Sequence, residues 1–237
     1  KTFLLDYNKT RALIEKHPKG TFKGIIPVDF AGRPVDLEKL RNLANEYECW
    51  IIQDSCHSPG GFFNDSFGTK QNCGNGLFAD MSIFSFHPVK HIACGEGGMI
   101  TTNNENLYKS LLKLRTHGIT KNSIDFVNPI QMAIGAKNFD SQNINYPLWY
   151  MEMQELGYNY RLTDFQAALG YSQLERADIG LKRRVEIAEK YSNAFKDNHN
   201  IIGQSGIVEG HAYHLYIIEV EDRFSLYNHL RQNSIYA

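Results

Sequence analysis

Lys90 stands in a sequence context that favours chemistry by its side-chain amine. It lies in the stretch SFHPVKHIACGEGG, between a strand-like aromatic run and a glycine-rich corner. We expect this setting to enclose the side chain partly, and enclosure favours the neutral amine, the form that attacks a carbonyl carbon. The alternative is an ordinary surface lysine, the usual environment of this residue type.

A carboxylate, an imidazole and a hydroxyl accompany this lysine along the chain. Asp54 follows the apolar run at 49–53, and ligands of an open parallel sheet bind beyond the carboxyl ends of its strands. His57 comes three residues later, and Ser85, five residues before the lysine, is placed to offer a hydroxyl to a phosphate. Each has a structural alternative: a turn cap for the aspartate, packing for the histidine and an ordinary strand position for the serine.

A reactive lysine and a strand-end aspartate form the pair that pyridoxal 5'-phosphate (PLP) requires. The lysine binds the aldehyde of PLP, and the carboxylate keeps the pyridine nitrogen protonated so that the ring accepts electrons. The glycines at 95, 97 and 98 match neither a GxGxxG dinucleotide loop nor a Walker phosphate loop. The residues therefore predict an α/β enzyme with PLP chemistry rather than nicotinamide or ATP chemistry.

The elements that must position these residues follow an α/β pattern in the first half of the chain. Periodicity predicts strands at 22–30, 49–53, 81–86 and 99–102, and helices at 37–47 and 105–115, with Asp36 and Asn104 as N-caps. The order strand, helix, strand between 22 and 53 predicts a βαβ unit with parallel strands.

The second half is first irregular and then helical. Residues 116–158 show no sustained period, with a long polar part at 122–146, and such connections are usually functional or mobile. Helices at 161–175 (capping box Thr163 and Gln166) and 181–195, a strand at 213–220 and a helix at 224–231 follow. We expect residues 1–158 to belong to a PLP-binding large domain with an irregular active-site or interface region at 116–158, 159–200 to be linking helices, and 201–237 to begin a small C-terminal domain.

Composition excludes several other classes of protein. A net charge of −1 gives no reason to expect a nucleic-acid or membrane partner, and no apolar run reaches the length of a membrane span. Four cysteines without a CxxC pair favour a reducing cytoplasm over a disulfide framework. A zinc site from Cys56, His57, Cys73 and His87 lacks paired ligand spacing, so no metal is predicted.

Several longer stretches resemble one enzyme family over nearly the whole chain. IIPVDFAGRPVDLEKL, IIQDSCHSPGG, FSFHPVKHIACGEGGMITTN and LGYNYRLTDFQAALGYSQLERAD are similar to the PLP-dependent nucleotide-sugar aminotransferases of the DegT/DnrJ type. The resemblance implies a fold-type I, aspartate-aminotransferase-like large domain with a mixed, mostly parallel sheet, plus part of a small α+β C-terminal domain. It also implies a fragment, since the family's N-terminal phosphate loop and stacking aromatic residue have no counterpart here.

The resemblance assigns roles to individual residues. It implies that Lys90 forms the Schiff base, that Asp54 pairs with the pyridine nitrogen and that His57 lies near the ring hydroxyl. Ser85 matches a serine at the cofactor phosphate, and Asn159 matches an asparagine that reaches the phosphate from the neighbouring subunit, which implies a homodimer with shared active sites.

The implied reaction is transfer of an amino group from L-glutamate to a nucleotide-linked 4-keto-6-deoxy sugar. The stretches SFHPVKHI and WYMEMQELGYNYRLTD look most like the pseudaminic-acid branch of the family, whose substrate is UDP-linked. Three alternatives stay open: a sugar dehydratase of the same fold, which would carry histidine in place of Lys90; a cyclitol or aminohydroxybenzoate enzyme; and a non-catalytic binding protein that retains the fold.

Overall fold

The computed structural model describes residues 2–135 and 145–237. The chain divides into two compact units, one formed by Lys1–Asn103 with Thr163–Ala237 and the other by Asn104–Leu162. The helices are α1 (Tyr7–Ile14), α2 (Leu37–Tyr47), α3 (Glu105–Leu114), α4 (Ile130–Ile134), α5 (Asp164–Leu174), α6 (Ala177–Phe195) and α7 (Arg223–Gln232). The strands are β1 (Gly24–Ile25), β2 (Trp50–Asp54), β3 (Phe62–Asn64), β4 (Lys70–Asn72), β5 (Met81–Ser85), β6 (Gly98–Thr101), β7 (Ile119–Thr120), β8 (Glu152–Met153), β9 (Gly203–Gln204) and β10 (Ile218–Glu219). The predicted domain boundaries at 158 and 200 stay a prediction.

The first unit is built on a four-stranded sheet of order β1-β2-β5-β6. The pairs β1–β2 and β2–β5 are parallel, and β6 runs antiparallel to β5. The predicted mixed, mostly parallel sheet is therefore confirmed. The remaining strands form three antiparallel pairs, β3–β4, β7–β8 and β9–β10.

Helix α2 completes the predicted βαβ unit and supplies much of the core. Asp36 caps it by accepting a hydrogen bond from the amide of Lys39 at 3.3 Å. Its apolar face buries Leu40 and Leu43 in a cluster with Ile51 of β2. Burial of each such leucine stabilises the fold by about 1.5–3 kcal/mol. This packing holds α2 against β2, the strand that ends at Asp54.

Two predicted strands are shorter than the sequence pattern suggests. In the run 22–30 only Gly24–Ile25 pairs continuously, because Pro27 has no amide hydrogen to donate to the ladder; Val28 pairs again with Asp54 as an isolated bridge, and the chain then turns at Ala31 and Gly32, with φ values of 62° and 94°. In the run 213–220 only Ile218–Glu219 is paired. Tyr213 has a φ of 47°, and its neighbours Ala212 and Leu215 donate to the carbonyls of Gly32 and Ala31 in that turn instead of extending a strand.

The region predicted as irregular contains short elements organised around a buried carboxylate. Glu152 accepts hydrogen bonds from the amides of Val127 at 2.8 Å and Asn128 at 3.0 Å and from the Tyr150 hydroxyl at 3.0 Å. Burial opposes ionisation, but these donors lower the pKa of Glu152 to about 2. Part of the predicted polar segment 122–146, at 136–144, lies outside the described residues.

Other sequence predictions hold, and some elements were not foreseen. The caps of α2 and α3 and the capping box at Thr163 and Gln166 are confirmed, whereas α1 and the β3–β4 hairpin were not predicted. All four cysteines are free thiols. Across the described ranges, no helix is long and apolar enough to cross a membrane.

Candidate active site at the end of the parallel strands

Two neighbouring parallel strands end at one edge of the sheet with polar side chains. Asp54 is the last residue of β2 and lies opposite Ile83 of β5, and Ser85 is the last residue of β5. The Asp54 carboxylate accepts a hydrogen bond from the amide of Cys56 at 3.0 Å. The Ser85 hydroxyl accepts one from the amide of His87 at 3.4 Å. This is the edge at which open α/β sheets bind their ligands.

Lys90 lies in a closed loop that follows β5. Its amide donates to the carbonyl of His87 at 2.9 Å. The loop returns to the strand through the amide of Cys94, which donates to Phe86 at 2.9 Å, and that of Phe86, which donates to Gly97 at 2.8 Å. Burial is the main cause that lowers the pKa of His57; the positive charge of Lys90 lowers it further, and the charge of Asp54 raises it.

His57 is held from two sides. Its Nδ1 accepts a hydrogen bond from the amide of Ala31 at 3.3 Å. Its ring stacks on that of His214, with 4.2 Å between centroids and 26° between planes. Burial lowers the pKa of His57 first, and the charge of Lys90 adds to this effect, so the imidazole is neutral at pH 7.

The loop that carries His57 is anchored to a buried carboxylate. Asp29 is fully buried, and its Oδ2 accepts hydrogen bonds from Ser58 Oγ at 2.7 Å, Gln53 Nε2 at 2.8 Å and Ser55 Oγ at 3.2 Å. Its Oδ1 accepts the amide of Val35 at 2.9 Å. Burial raises the pKa of Asp29 and these donors oppose that rise. The network ties the end of β2 to residues 55–58, so it sets the position of Asp54 and His57.

Three further residues near this edge were not found from the sequence. His91 and His214 have buried nitrogens, Nε2 and Nδ1 respectively, with no hydrogen-bond partner in the described part of the protein. Burial is the main cause that lowers the pKa of His91 to about 3 and that of His214 to about 4. Arg184 donates to the carbonyls of Tyr213 at 3.1 Å and His214 at 3.4 Å.

The sequence signals for the missed residues were weak. The sequence pattern places Asp29 in a predicted strand. An acidic residue inside an apolar run nevertheless indicates a buried hydrogen-bond network, because a buried carboxylate needs donors. His214 was hidden in the predicted strand 213–220, where a side chain needs only to pack.

The five predicted site residues fall into both compact units. Asp54, His57, Ser85 and Lys90 belong to the first unit and share the end of β2 and β5. Asn159 belongs to the second, where its side chain accepts a hydrogen bond from the amide of Arg161 at 3.4 Å and its backbone pairs with Thr116. The roles of all five stay predictions.

The donor set at the sheet edge fits PLP. An amine, a carboxylate and a neutral imidazole lie together, which are the groups that PLP needs at its aldehyde, ring nitrogen and ring oxygen. Beside this set, His91 Nε2 and His214 Nδ1 are buried without a hydrogen-bond partner among the residues that the structure describes, and such atoms call for an explanation. Within the residues that the structure describes, no three His, Cys, Asp or Glu side chains are grouped so that they could hold a metal ion.

Known proteins match this chain in sequence and fold. It is 36% identical over 195 residues to a UDP-4-amino-4,6-dideoxy-N-acetyl-beta-L-altrosamine transaminase of Campylobacter jejuni, covering 82% of this chain and 43% of that protein. It is 33% identical over 202 residues to the spore coat polysaccharide biosynthesis protein SpsC of Bacillus subtilis, covering 85% of this chain and 46% of that protein. An aminotransferase of Helicobacter pylori involved in the biosynthesis of pseudoaminic acid matches with a TM-score of 0.73 and 29% identity, over 98% of this chain and 53% of that one.

These matches agree with a family model that covers the whole chain. The chain spans less than half the length of both curated relatives. These relatives therefore identify its family rather than its reaction. The model of the DegT/DnrJ/EryC1/StrS aminotransferases matches residues 1–237, and the solved relative has the same fold. The chain is a member of the DegT/DnrJ/EryC1/StrS aminotransferase family.

Proposed function

We propose that the protein is a PLP-dependent aminotransferase that acts on the keto group of a nucleotide-linked 4-keto-6-deoxy sugar, with L-glutamate as the amino donor. Aminotransferases of this family depend on PLP. The observation that carries the proposal is the position of Asp54 and Ser85 at the ends of two neighbouring parallel strands, with Lys90 in the loop that follows the second strand. The pseudaminic-acid branch is supported by relatives whose names specify that pathway or its sugar.

Each residue at the sheet edge has a distinct task in this proposal. When bound, PLP supplies an electron sink through its ring. The Nζ of Lys90 would hold the cofactor and, when free, would serve as the group that carries a proton at the reacting carbon of the substrate. The carboxylate of Asp54 would pair with the ring nitrogen and favour its cationic form.

The remaining predicted residues would hold the cofactor in place. Nε2–H of His57 would donate to the ring oxygen, and the hydroxyl of Ser85 would donate to the phosphate. We infer that Asn159 reaches the phosphate from the partner subunit of a homodimer, so that each active site is completed by both chains. The four free thiols suit a cytoplasmic enzyme.

Two of the three rival functions are distinguished by Lys90. A sugar dehydratase of this fold would need histidine at this position, and the chain has lysine. A non-catalytic relative would need neither the lysine nor the carboxylate, whereas the chain keeps both within electrostatic range of the same imidazole.

Trapping of the cofactor tests the proposal. PLP is added to the protein expressed from the complete gene, the visible spectrum is recorded, and the sample is reduced with borohydride and mapped by mass spectrometry. We expect a visible band and a reduced label on Lys90. Lys109→Arg, on exposed helix α3, is the matched control and should leave the band and the label unchanged. Absence of the band, or a label on another lysine, would refute the assignment.

A UDP-linked 4-keto-6-deoxy-N-acetylhexosamine then tests the substrate. With glutamate present, we expect an amino sugar and 2-oxoglutarate in equal amounts. Release of water and loss of a sugar hydroxyl would instead identify a dehydratase.

A further inference from the structure

His214 lies between two other imidazoles beside the proposed cofactor site. Its ring stacks on His57 at 4.2 Å and is tilted by 37° against His91 at 5.5 Å between centroids. No sequence pattern suggested this arrangement, because the three histidines lie far apart along the chain.

The backbone around His214 fixes the position of its ring. Arg184 donates to the carbonyls of Tyr213 and His214. On either side, the amide of Ala212 donates to Gly32 at 2.7 Å and that of Leu215 donates to Ala31 at 3.1 Å. The segment is therefore attached to the same turn that contacts His57.

Gly32 shows how closely this turn approaches its neighbours. A Cβ at Gly32 would lie 2.7 Å from the carbonyl oxygen of His57 and 2.9 Å from the amide nitrogen of His214. Its φ of 94° also belongs to the region that favours glycine. The turn and the two histidine segments thus pack as one body, and the stacked rings have little freedom to separate.

The turn also determines where His57 carries its proton. A backbone N–H can only donate, so Nδ1 of His57, which receives the amide of Ala31 at 3.3 Å, must be the unprotonated nitrogen. Neutral His57 therefore carries hydrogen on Nε2. This tautomer offers a donor, and not an acceptor, to any ligand at the sheet edge.

The surrounding groups favour the neutral form of both stacked rings. His57 faces the cationic Lys90 and the anionic Asp54, and its pKa is lowered chiefly by burial. His214 faces His57, Lys90 and Arg184, and burial again lowers its pKa first. Two neutral stacked imidazoles avoid the repulsion that two charged rings would have at this separation.

We propose that His214 is a positioning residue whose stacked ring, together with the Ala31 amide, holds His57 as a neutral Nε2–H donor. This inference rests on the proposed function only for the identity of the acceptor, the ring oxygen of PLP. The tautomer and the stacking are properties of the chain itself and are measurable without cofactor.

The test reads the tautomer of His57 directly. The complete protein is labelled with nitrogen-15 histidine, and long-range proton–nitrogen spectra are recorded at pH 7 before and after PLP is added. His57→Gln assigns the signals. His214→Phe keeps a flat ring without nitrogens, His214→Ala removes the ring, and His199→Ala, at an exposed position, is the control.

We expect the Nε2–H tautomer of His57 in the unaltered protein, in the control and in His214→Phe. In His214→Ala we expect a mixture of tautomers and a PLP affinity lower by about 2- to 10-fold, the range of a lost ring pair. His214→Phe should stay within about 2-fold of the unaltered protein. Circular dichroism checks that each variant is folded.

Three results would overturn the inference: Nδ1–H on His57, a His214→Ala variant identical to the unaltered protein, or a His214→Phe variant as impaired as His214→Ala. The last would mean that a nitrogen of His214, and not its ring face, is what matters. If the tautomer is as expected but no PLP binds, the proposed function fails while the positioning role stands.

Discussion

Two groups of buried polar side chains in the first unit differ in how completely they are hydrogen-bonded. The carboxylate of Asp29 is fully buried and receives donors on both oxygens. The imidazoles of His91 and His214 are also enclosed, yet each keeps a buried nitrogen that has no hydrogen-bond partner among the described residues. A satisfied network stabilises a single arrangement of the chain, whereas an unsatisfied buried atom is costly and needs another reason to be present.

The difference separates a side chain that supports the fold from side chains that lie beside the proposed cofactor site. Asp29 lies beneath the loop at 55–58 and fixes the residues that lead to His57. The imidazoles lie beside His57, whose pKa is also affected by the charges of Lys90 and Asp54. We therefore expect changes at Asp29 to reduce stability, and changes on the imidazole side to reduce cofactor binding and turnover.

The largest effect is expected on turnover, when Lys90 at the proposed cofactor site is replaced. Lys90→Ala should lower multiple-turnover transamination by at least about 1,000-fold, because both the cofactor attachment and the proton carrier are removed. The free energy of unfolding should change by less than about 0.5 kcal/mol, as at other partly exposed positions. Steady-state kinetics and urea unfolding measure the two quantities. Substantial turnover by the variant would exclude Lys90 from the reaction.

The next largest effect should come from the supporting side. Asp29→Ala leaves the hydroxyls of Ser55 and Ser58 and the amide of Gln53 without their common acceptor, and should lower the free energy of unfolding by about 2–5 kcal/mol. Asp29→Asn keeps the shape but replaces one acceptor oxygen by an NH2 group, so the donors on one of its two sides lose their acceptor and only part of the loss should be rescued. Chemical denaturation gives both values. A loss below about 0.5 kcal/mol would show that the network does not anchor the loop.

The sequence predicted the supporting frame better than the site's surroundings. The βαβ unit follows from local signals, since Asp36 caps α2 and the leucine spacing marks its buried face. Lys90 and Asp54 are predicted as site residues because ligands bind beyond the carboxyl ends of parallel strands, a rule that depends on topology alone. The contact between His214 and His57 could not be predicted from the sequence. It joins residues 157 positions apart and depends on the left-handed turn at Ala31–Gly32.

The sign of the pH effect on the free energy of unfolding should reveal the contribution of the buried imidazole of His214. The pKa of His214 is about 4 in the folded chain, below the ordinary value of about 6.5. The unfolded chain therefore binds more protons between these values, and stability is lost as pH falls from about 6.5 toward 4.

His214→Phe removes this titration. Between pH 7 and pH 5, its free energy of unfolding should fall by about 1 kcal/mol less than that of the unaltered protein, a figure reduced for the partial exposure of the ring. Denaturation at the two pH values measures the difference, with His199→Ala as the exposed control. Equal losses in His214→Phe and the unaltered protein would mean that His214 is not held neutral by its surroundings.

The smallest effect is the difference between two hydroxyls within the Asp29 network. Ser58 donates at 2.7 Å and Ser55 at 3.2 Å to the same carboxyl oxygen, and both residues are fully buried. Because the shorter hydrogen bond is the stronger one, Ser58→Ala should lower the free energy of unfolding by about 0.5 kcal/mol more than Ser55→Ala. Urea unfolding of the two variants gives the order. If Ser55→Ala costs as much as Ser58→Ala, hydroxyl geometry does not determine how firmly the loop is held, and Val35 and Gln53 would then have to supply most of the anchoring of Asp29.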